Sequence, residues 1–96
     1  MVEYSKTLII GILTYYHEFY NRSFFIKYPD MVILKADIDI ALNKLNKELR
    51  NVIVEYYCKG VNNDKAVANK LGIPTRTVAY RRSRGIEELY KILNNL

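Results

Sequence analysis

The chain has 96 residues, half of them apolar, with four glycines and two prolines. This length and composition predict one folded domain, residues 1–96, and argue against a disordered or low-complexity chain. The single cysteine cannot form an internal disulfide, and the apolar run over 8–13 is far shorter than the ~20 residues of a membrane span. We therefore expect a soluble, cytoplasmic protein with no membrane partner and no signal peptide.

The charge of the chain is one-sided. Residues 1–58 hold seven Lys or Arg and seven Asp or Glu, whereas residues 59–96 hold eight and three. The whole formal net charge of +5 therefore lies in the C-terminal part. A cationic end next to a neutral one predicts that the C-terminal part binds a polyanion.

The first predicted element is one long apolar helix over residues 3–27. Its apolar side chains recur at steps of three and four residues, on a stripe of Leu8, Ile9, Ile12, Leu13, Tyr16, Phe19 and Tyr20. Pro29 disfavours helical geometry in the residue before it and is expected to interrupt this helix. A helix this apolar needs cover on more than one side. We expect residues 1–35 to be a dimerisation or partner-docking element, with a homodimer through residues 4–28.

A second helix is predicted from Asp37 to Leu45. Its buried face would consist of Ile38, Ala41, Leu42 and Leu45. A strand is the alternative, because Asp37–Ile40 alternates polar and apolar residues and Met31–Leu34 is β-prone.

A third helix is predicted between Asn46, its N-terminal cap, and Gly60, its end. Glu48 lies in the first turn, where the helix dipole favours an acid. The expected buried face consists of Leu49, Val52, Ile53 and Tyr56. Cys58 is expected to be a reduced thiol in the core.

The fourth and fifth helices are predicted to be joined by a tight turn. Asn63 or Asp64 caps the fourth helix, and Gly72 ends it. The fifth begins at Pro74 or Thr75 and contains Gly85, which costs ~1 kcal/mol relative to alanine. Either a neighbour packs closely at this glycine or the helix bends. The predicted fold class is all-α, with about five helices.

Residues 64–83, DKAVANKLGIPTRTVAYRRS, fit a helix-turn-helix. This motif needs a small residue where its helices cross, a glycine in the turn and apolar residues that fix the second helix. The residues that would form the scaffold are Val67, Ala68, Leu71, Gly72, Ile73 and Val78. Arg81 departs from the pattern, because many such motifs bury an aliphatic residue at that position.

Helical geometry predicts which side chains of this motif meet DNA. With Val78 inward, base contacts in the major groove are expected from Arg76, Thr77 and Tyr80. Phosphate contacts, which supply affinity without sequence information, are expected from Lys70, Thr75, Arg81, Arg82 and Arg84. Double-stranded DNA is the expected partner.

Residues 36–96 resemble region 4 of bacterial sigma factors, through ALNKLNKELRNVIVEYYCKG and NNDKAVANKLGIPTRTVAYRRSRGIEEL. Val67-Ala68, Leu71-Gly72-Ile73, Thr77-Val78, Arg81 and Arg84 fall on positions of that family's pattern. Small phage activators of late genes, the autolysin-regulator (ArpU-like) proteins, are similar over the same stretch. The resemblance implies a phage or mobile-element regulator whose fifth helix recognises a promoter element beside RNA polymerase. No segment resembles the sigma region that melts promoters.

Other functions find less support in the sequence. His17 is the only histidine and has no second metal ligand or nucleophile at a useful spacing, so we expect no enzyme activity, metal or cofactor. Two alternatives to transcription regulation stay open. One is a protein-interaction module, and the other is a phage DNA-packaging or replication accessory protein that uses the same motif.

Overall fold

The computed structural model describes residues 3–14, 16 and 30–96, and this part of the chain is helical without any strand. Its five α-helices are α1 (Lys6–Thr14), α2 (Asp30–Lys44), α3 (Lys47–Ile53), α4 (Asp64–Leu71) and α5 (Thr75–Leu93). The predicted all-α class is confirmed. None of these helices is long and apolar enough to cross a membrane.

The prediction of one long N-terminal helix is wrong. Helix α1 is only nine residues long and ends at Thr14. It begins after Ser5, whose Oγ accepts a hydrogen bond from the Leu8 N–H at 3.0 Å and thereby caps the first turn. Tyr4 cannot extend the helix, because its backbone N–H and C=O are both bonded to the Asn94 side chain. Residues 15 and 17–29, with the predicted stripe positions Phe19 and Tyr20, lie outside the described residues.

Helix α2 begins at Asp30, seven residues before the predicted start at Asp37. The strand alternative is wrong, because Asp37–Ile40 lies inside this helix. The predicted inward residues are all buried: Ile38, Ala41, Leu42 and Leu45. Packing of this face against the rest of the domain outweighs the β propensity of the segment's first residues, which is a weak local preference.

Helix α3 continues into a wider π-helical turn over Val54–Cys58. The Lys59 N–H donates to the Val54 carbonyl at 2.9 Å, a span of five residues rather than four. The added residue rotates the helix, so Tyr57 and Cys58 are buried in the core while Tyr56 is only half-buried. The predicted ends are confirmed, because Asn46 caps the Leu49 N–H at 3.0 Å and Gly60 has φ +71°.

Helix α5 is the central element and contacts the other four helices. Its C-terminal half supplies Ile86, Leu89 and Leu93 to the main core, which also holds residues of α1, α2 and α3. Gly85 is buried where α5 crosses α3, and a Cβ on it would lie 2.7 Å from Ile53 Cγ1. Of the two explanations for this glycine, close packing is therefore the right one.

Candidate nucleic-acid interface

Helices α4 and α5 are joined by a three-residue turn whose ends are set by local bonds. The Asn63 side chain caps α4 by accepting from the Ala66 N–H at 2.9 Å. Gly72 ends α4 with φ +68°, and the next residue, Ile73, donates its N–H to the Ala68 carbonyl at 3.1 Å. This bond pattern is a common way to close a helix with a left-handed glycine. Pro74 then precedes α5 in extended geometry.

A small hydrophobic core, separate from the main core, fixes α5 against α4. Its buried members are Val52 of α3, Val67 and Ala68 of α4, and Val78 of α5. Leu71 and Ile73 pack against it while partly exposed, together with Tyr56 and Val61. The structure thus brings together the predicted scaffold residues, with the exposed Gly72 in the turn between them. Val52 of α3 also belongs to this core, although it lies outside the predicted helix-turn-helix motif.

The first ten residues of α5 present a cationic row to solvent, formed by Arg76, Tyr80 and Arg84. These residues are four apart, so they lie on one side of the helix, opposite the buried Val78. Tyr80 is 68% exposed. Arg76 is also exposed and has no ion pair among the described residues. Thr77 lies at the edge of the row and is half-buried. No acid occurs in residues 75–84, whereas Glu87 and Glu88 follow Gly85.

Three of the predicted phosphate contacts, Arg84 of the row and the neighbouring Lys70 and Arg81, are each paired with a carboxylate. Lys70 Nζ lies 2.7 Å from Glu55 Oε2, Arg84 Nη2 lies 3.0 Å from Glu88 Oε1, and Arg81 Nη2 lies 3.6 Å from Glu48 Oε2. Lys70 and Arg84 remain half exposed. Such pairs hold long side chains in place at low cost while leaving donors for an incoming anion. Thr75, the first residue of α5, is exposed.

Arg82 differs from its neighbours because its guanidinium points inward. Its Nε and Nη2 donate to the two carboxylate oxygens of Asp64 at 3.0 and 2.9 Å, and the guanidinium lies 4.5 Å from the Tyr56 ring centroid. The Asp64 bond, opposed by burial, raises the pKa of Arg82. We call this group the Asp64–Arg82 clamp; it joins the start of α4 to the middle of α5. The geometry weighs against the phosphate contact predicted for Arg82.

We expect Arg82→Ala to lower the free energy of unfolding by about 1–2 kcal/mol, because a bidentate, mostly buried pair and its stacking contact are lost. Arg84→Ala is the matched control. It removes an exposed pair whose arginine lies two residues further along α5, and it should cost at most about 0.5 kcal/mol. Urea unfolding of the two variants measures the difference. Equal losses would mean that the clamp does not stabilise the domain.

Among the described residues, Glu55 is the carboxylate that is buried. Its ion pair with Lys70 connects the π-helical turn to α4. It accepts a hydrogen bond from Lys59 at 2.8 Å and pairs with Lys70 at 2.7 Å. Burial opposes its ionisation, but the hydrogen bonds and charges of the two lysines outweigh burial and hold the pKa of Glu55 below its ordinary value. The carboxylate of Glu55, in the π-helical turn that follows α3, thereby holds the Lys70 side chain beside the cationic row.

This pKa predicts an acid-sensitive contribution to stability. Since the folded pKa lies below the unfolded one, the contribution is fully present above about pH 4.5 and is lost as the pH falls through the folded value. Glu55→Gln should lower the unfolding free energy at pH 7 and flatten its decline as the pH falls below about 4.5. Glu48→Gln, at an exposed carboxylate, is the control and should retain the wild-type pH profile. An unchanged profile in Glu55→Gln would contradict the assignment.

The described residues offer no metal site, since no group of their His, Cys, Asp and Glu side chains could hold an ion. Cys58 is buried, and burial, with the nearby charge of Asp39, raises the pKa of its thiol to about 12. This thiol is therefore protonated at neutral pH and is a poor nucleophile. His17 lies outside the described residues.

Two polar contacts of the site were missing from the sequence prediction. Asp64 and Arg82 are eighteen residues apart on different helices, a separation that carries no local signal. The Glu55–Lys59 pair, in contrast, has the four-residue spacing of a helical ion pair and could have been found.

Comparison of the chain with protein-family models, curated proteins and solved structures finds no match in any of the three.

Proposed function

We propose that this protein is a sequence-specific double-stranded DNA-binding protein that regulates transcription. In this proposal α4 and α5 form a helix-turn-helix, and the start of α5 enters the major groove. The observation that carries it is the cationic row of Arg76, Tyr80 and Arg84, exposed on one side of α5 while Val78 is buried on the other. Two exposed arginines on a stretch of helix, residues 75–84, that contains no acid fit the phosphate-lined groove of DNA.

The roles within the row differ by position. Arg76 lies in the first turn of α5, has no carboxylate partner among the described residues and can bond guanine O6 and N7 in a bidentate manner. Tyr80 is one turn further and offers a hydroxyl and a ring edge, and the Thr77 methyl suits a thymine methyl. Lys70, Thr75, Arg81 and Arg84 surround them and supply phosphate contacts.

The resemblance of residues 36–96 to sigma region 4 extends the proposal to promoters. On this view the protein is a phage or mobile-element regulator that acts in the cytoplasm beside RNA polymerase, without metal, cofactor or catalytic activity. The resemblance is to the promoter-reading part of a sigma factor, so the role we propose for residues 36–96 is recognition of a promoter element.

Selection of duplexes from a random pool is the direct test. We expect enrichment of a short motif, bound with a salt dependence whose log–log slope is about −3, because three of the proposed phosphate contacts, Lys70, Arg81 and Arg84, are cations and each contributes about −0.9. Poly-dI·dC at the same salt is the non-specific reference. Equal affinity for every duplex would contradict sequence reading, and no binding at about 50 mM salt would contradict DNA binding altogether.

Arg84→Ala should weaken binding to the selected duplex and to random duplex by the same factor, and reduce the salt slope by about 0.9. The reason is that this side chain reaches phosphate rather than a base edge. Anisotropy titrations at several salt concentrations measure both effects. A loss confined to the selected duplex would mean that Arg84 reads a base.

A protein-interaction module is the second candidate function. One observation favours it, which is that Ile33 and Ile40 are exposed on the outer side of α2. This candidate is compatible with DNA binding, since α2 and the cationic row are different parts of the molecule.

A further inference from the structure

A second group of cations lies beside the cationic row, where α2 ends and α3 begins. Among the described residues, the lysine and arginine side chains without an ion pair are Lys44, Lys47, Arg50, Lys65 and Arg76. Three of these five fall within the short stretch that joins α2 to α3. Lys44 and Lys47 are both exposed. We call residues 44–47 the α2–α3 corner.

The corner carries positive charge although the charges of the N-terminal part of the chain sum to zero. Glu48 is the one acid within residues 43–51, and it is paired with Arg81 of α5 at 3.6 Å. Glu88 of α5 lies across a groove from the corner and is paired with Arg84 at 3.0 Å. Because both nearby acids are taken up by arginines of α5, the lysines of the corner stay available to a polyanion.

The corner lies against the flank of α5. Besides the ion pair between the two helices, the backbone of α3 approaches α5 at Gly85, where a Cβ would lie 3.8 Å from the Leu49 carbonyl oxygen. A groove of about 340 Å³ runs between the corner and the last residue of the cationic row, with Lys44 on one side and Arg84 on the other. The row and the corner therefore form one cationic surface across α2, α3 and α5.

We propose that the α2–α3 corner contacts the phosphate backbone of the same duplex whose major groove receives α5. A helix with its side chains is about 10–12 Å across, and the major groove of B-DNA is about 12 Å wide. Since α5 fills the groove, an element packed on its flank meets the phosphates at the groove's edge. Lys44 and Lys47 are exposed point charges on flexible stems, which suit phosphate rather than base edges. This inference rests on the proposed DNA binding by α5 and adds a second contact to it.

The salt dependence of DNA binding tests the corner. The three phosphate-contacting cations of the helix-turn-helix by themselves predict a log–log slope of about −3, and the two lysines bring the slope to about −5. Lys44→Ala and Lys47→Ala should each reduce the slope by about 0.9. Each should also weaken binding to selected and random duplex by the same factor, roughly eightfold at about 0.1 M salt, because a slope of about −0.9 acts over the decade up to 1 M.

Arg50→Ala is the matched control for these variants. Arg50 is also unpaired, but it lies two residues beyond Glu48 and therefore on the other side of α3. This variant should keep the wild-type slope and affinity, and circular dichroism checks that all three variants are folded. A wild type that selects a motif with a slope of about −3, or lysine variants that bind as Arg50→Ala does, would overturn the corner contact and leave the role of α5 intact. A wild type that binds no duplex would overturn both.

Discussion

Replacing Gly85 by leucine should destabilise the domain by about 3 kcal/mol or more. The Cβ alone would lie 2.7 Å from Ile53 Cγ1 and 2.9 Å from its Cδ1, so the larger side chain must displace α3 from α5. Gly85→Ala tests the balance of two effects, because the added methyl gains about 1 kcal/mol of helix propensity while it crowds the same atoms. Thermal and urea unfolding of the two variants should separate them clearly, with alanine near wild type.

Ile53→Ala provides the matched control for this prediction. It removes the side-chain atoms that a residue at position 85 meets, at a cost of about 2–5 kcal/mol by itself, because Ile53 is fully buried. Combined with Gly85→Leu it should cost less than the sum of the two single changes, since the leucine fills the vacated space. Additive losses would show that the glycine is required for a reason other than its contact with α3.

The second large effect concerns binding rather than stability. Arg76→Ala should lower affinity for the selected duplex by about 1–3 kcal/mol, roughly five- to 150-fold, while affinity for random duplex falls much less. Tyr80→Ala should behave in the same way. Neither change should alter the melting temperature, because both side chains are exposed and contribute to neither core. Competition titrations with selected and random duplex measure the discrimination.

Two controls make this prediction specific. Arg76→Lys keeps the charge but loses the planar fork, so it should retain affinity for random duplex and lose discrimination. Lys91→Ala removes a cation from the same side of α5, but fifteen residues further, about 22 Å along the helix, and should leave discrimination intact. If Arg76→Ala weakens binding to both duplexes equally, Arg76 contacts phosphate rather than a base. The assignment of base contacts to residues of α5 must then be revised.

Local rules predicted the helix ends of the C-terminal part with few errors. Asn46 and Asn63 each cap a helix through their side-chain oxygen, and Gly60 and Gly72 each end one with positive φ. These signals work because the interacting groups are two to four residues apart, so no tertiary contact is needed to form them. The same reasoning correctly separated buried Val78 from exposed Tyr80 on α5.

The errors occur where distant contacts override local preference. The sequence placed the start of α2 too late because its first residues are β-prone, whereas the helix begins at Asp30. It extended the first helix through Tyr4, whose backbone is held instead by Asn94, ninety residues away. It also placed Tyr56 rather than Tyr57 in the core. That prediction assumed regular α-helical spacing, whereas the π turn over Val54–Cys58 adds a residue and rotates the side chains that follow.

The sequence by itself determined the all-helical class, the turn at Gly72 and the concentration of positive charge after residue 58, because these follow from local geometry and composition. Only the tertiary structure decided which cations are free. Arg82 turns inward to Asp64, whereas Arg76 has no carboxylate within reach among the described residues. The sequence predicted a DNA contact for both arginines, a base contact for Arg76 and a phosphate contact for Arg82. What separates them is the position of α4 beside α5, which packing of the small core sets.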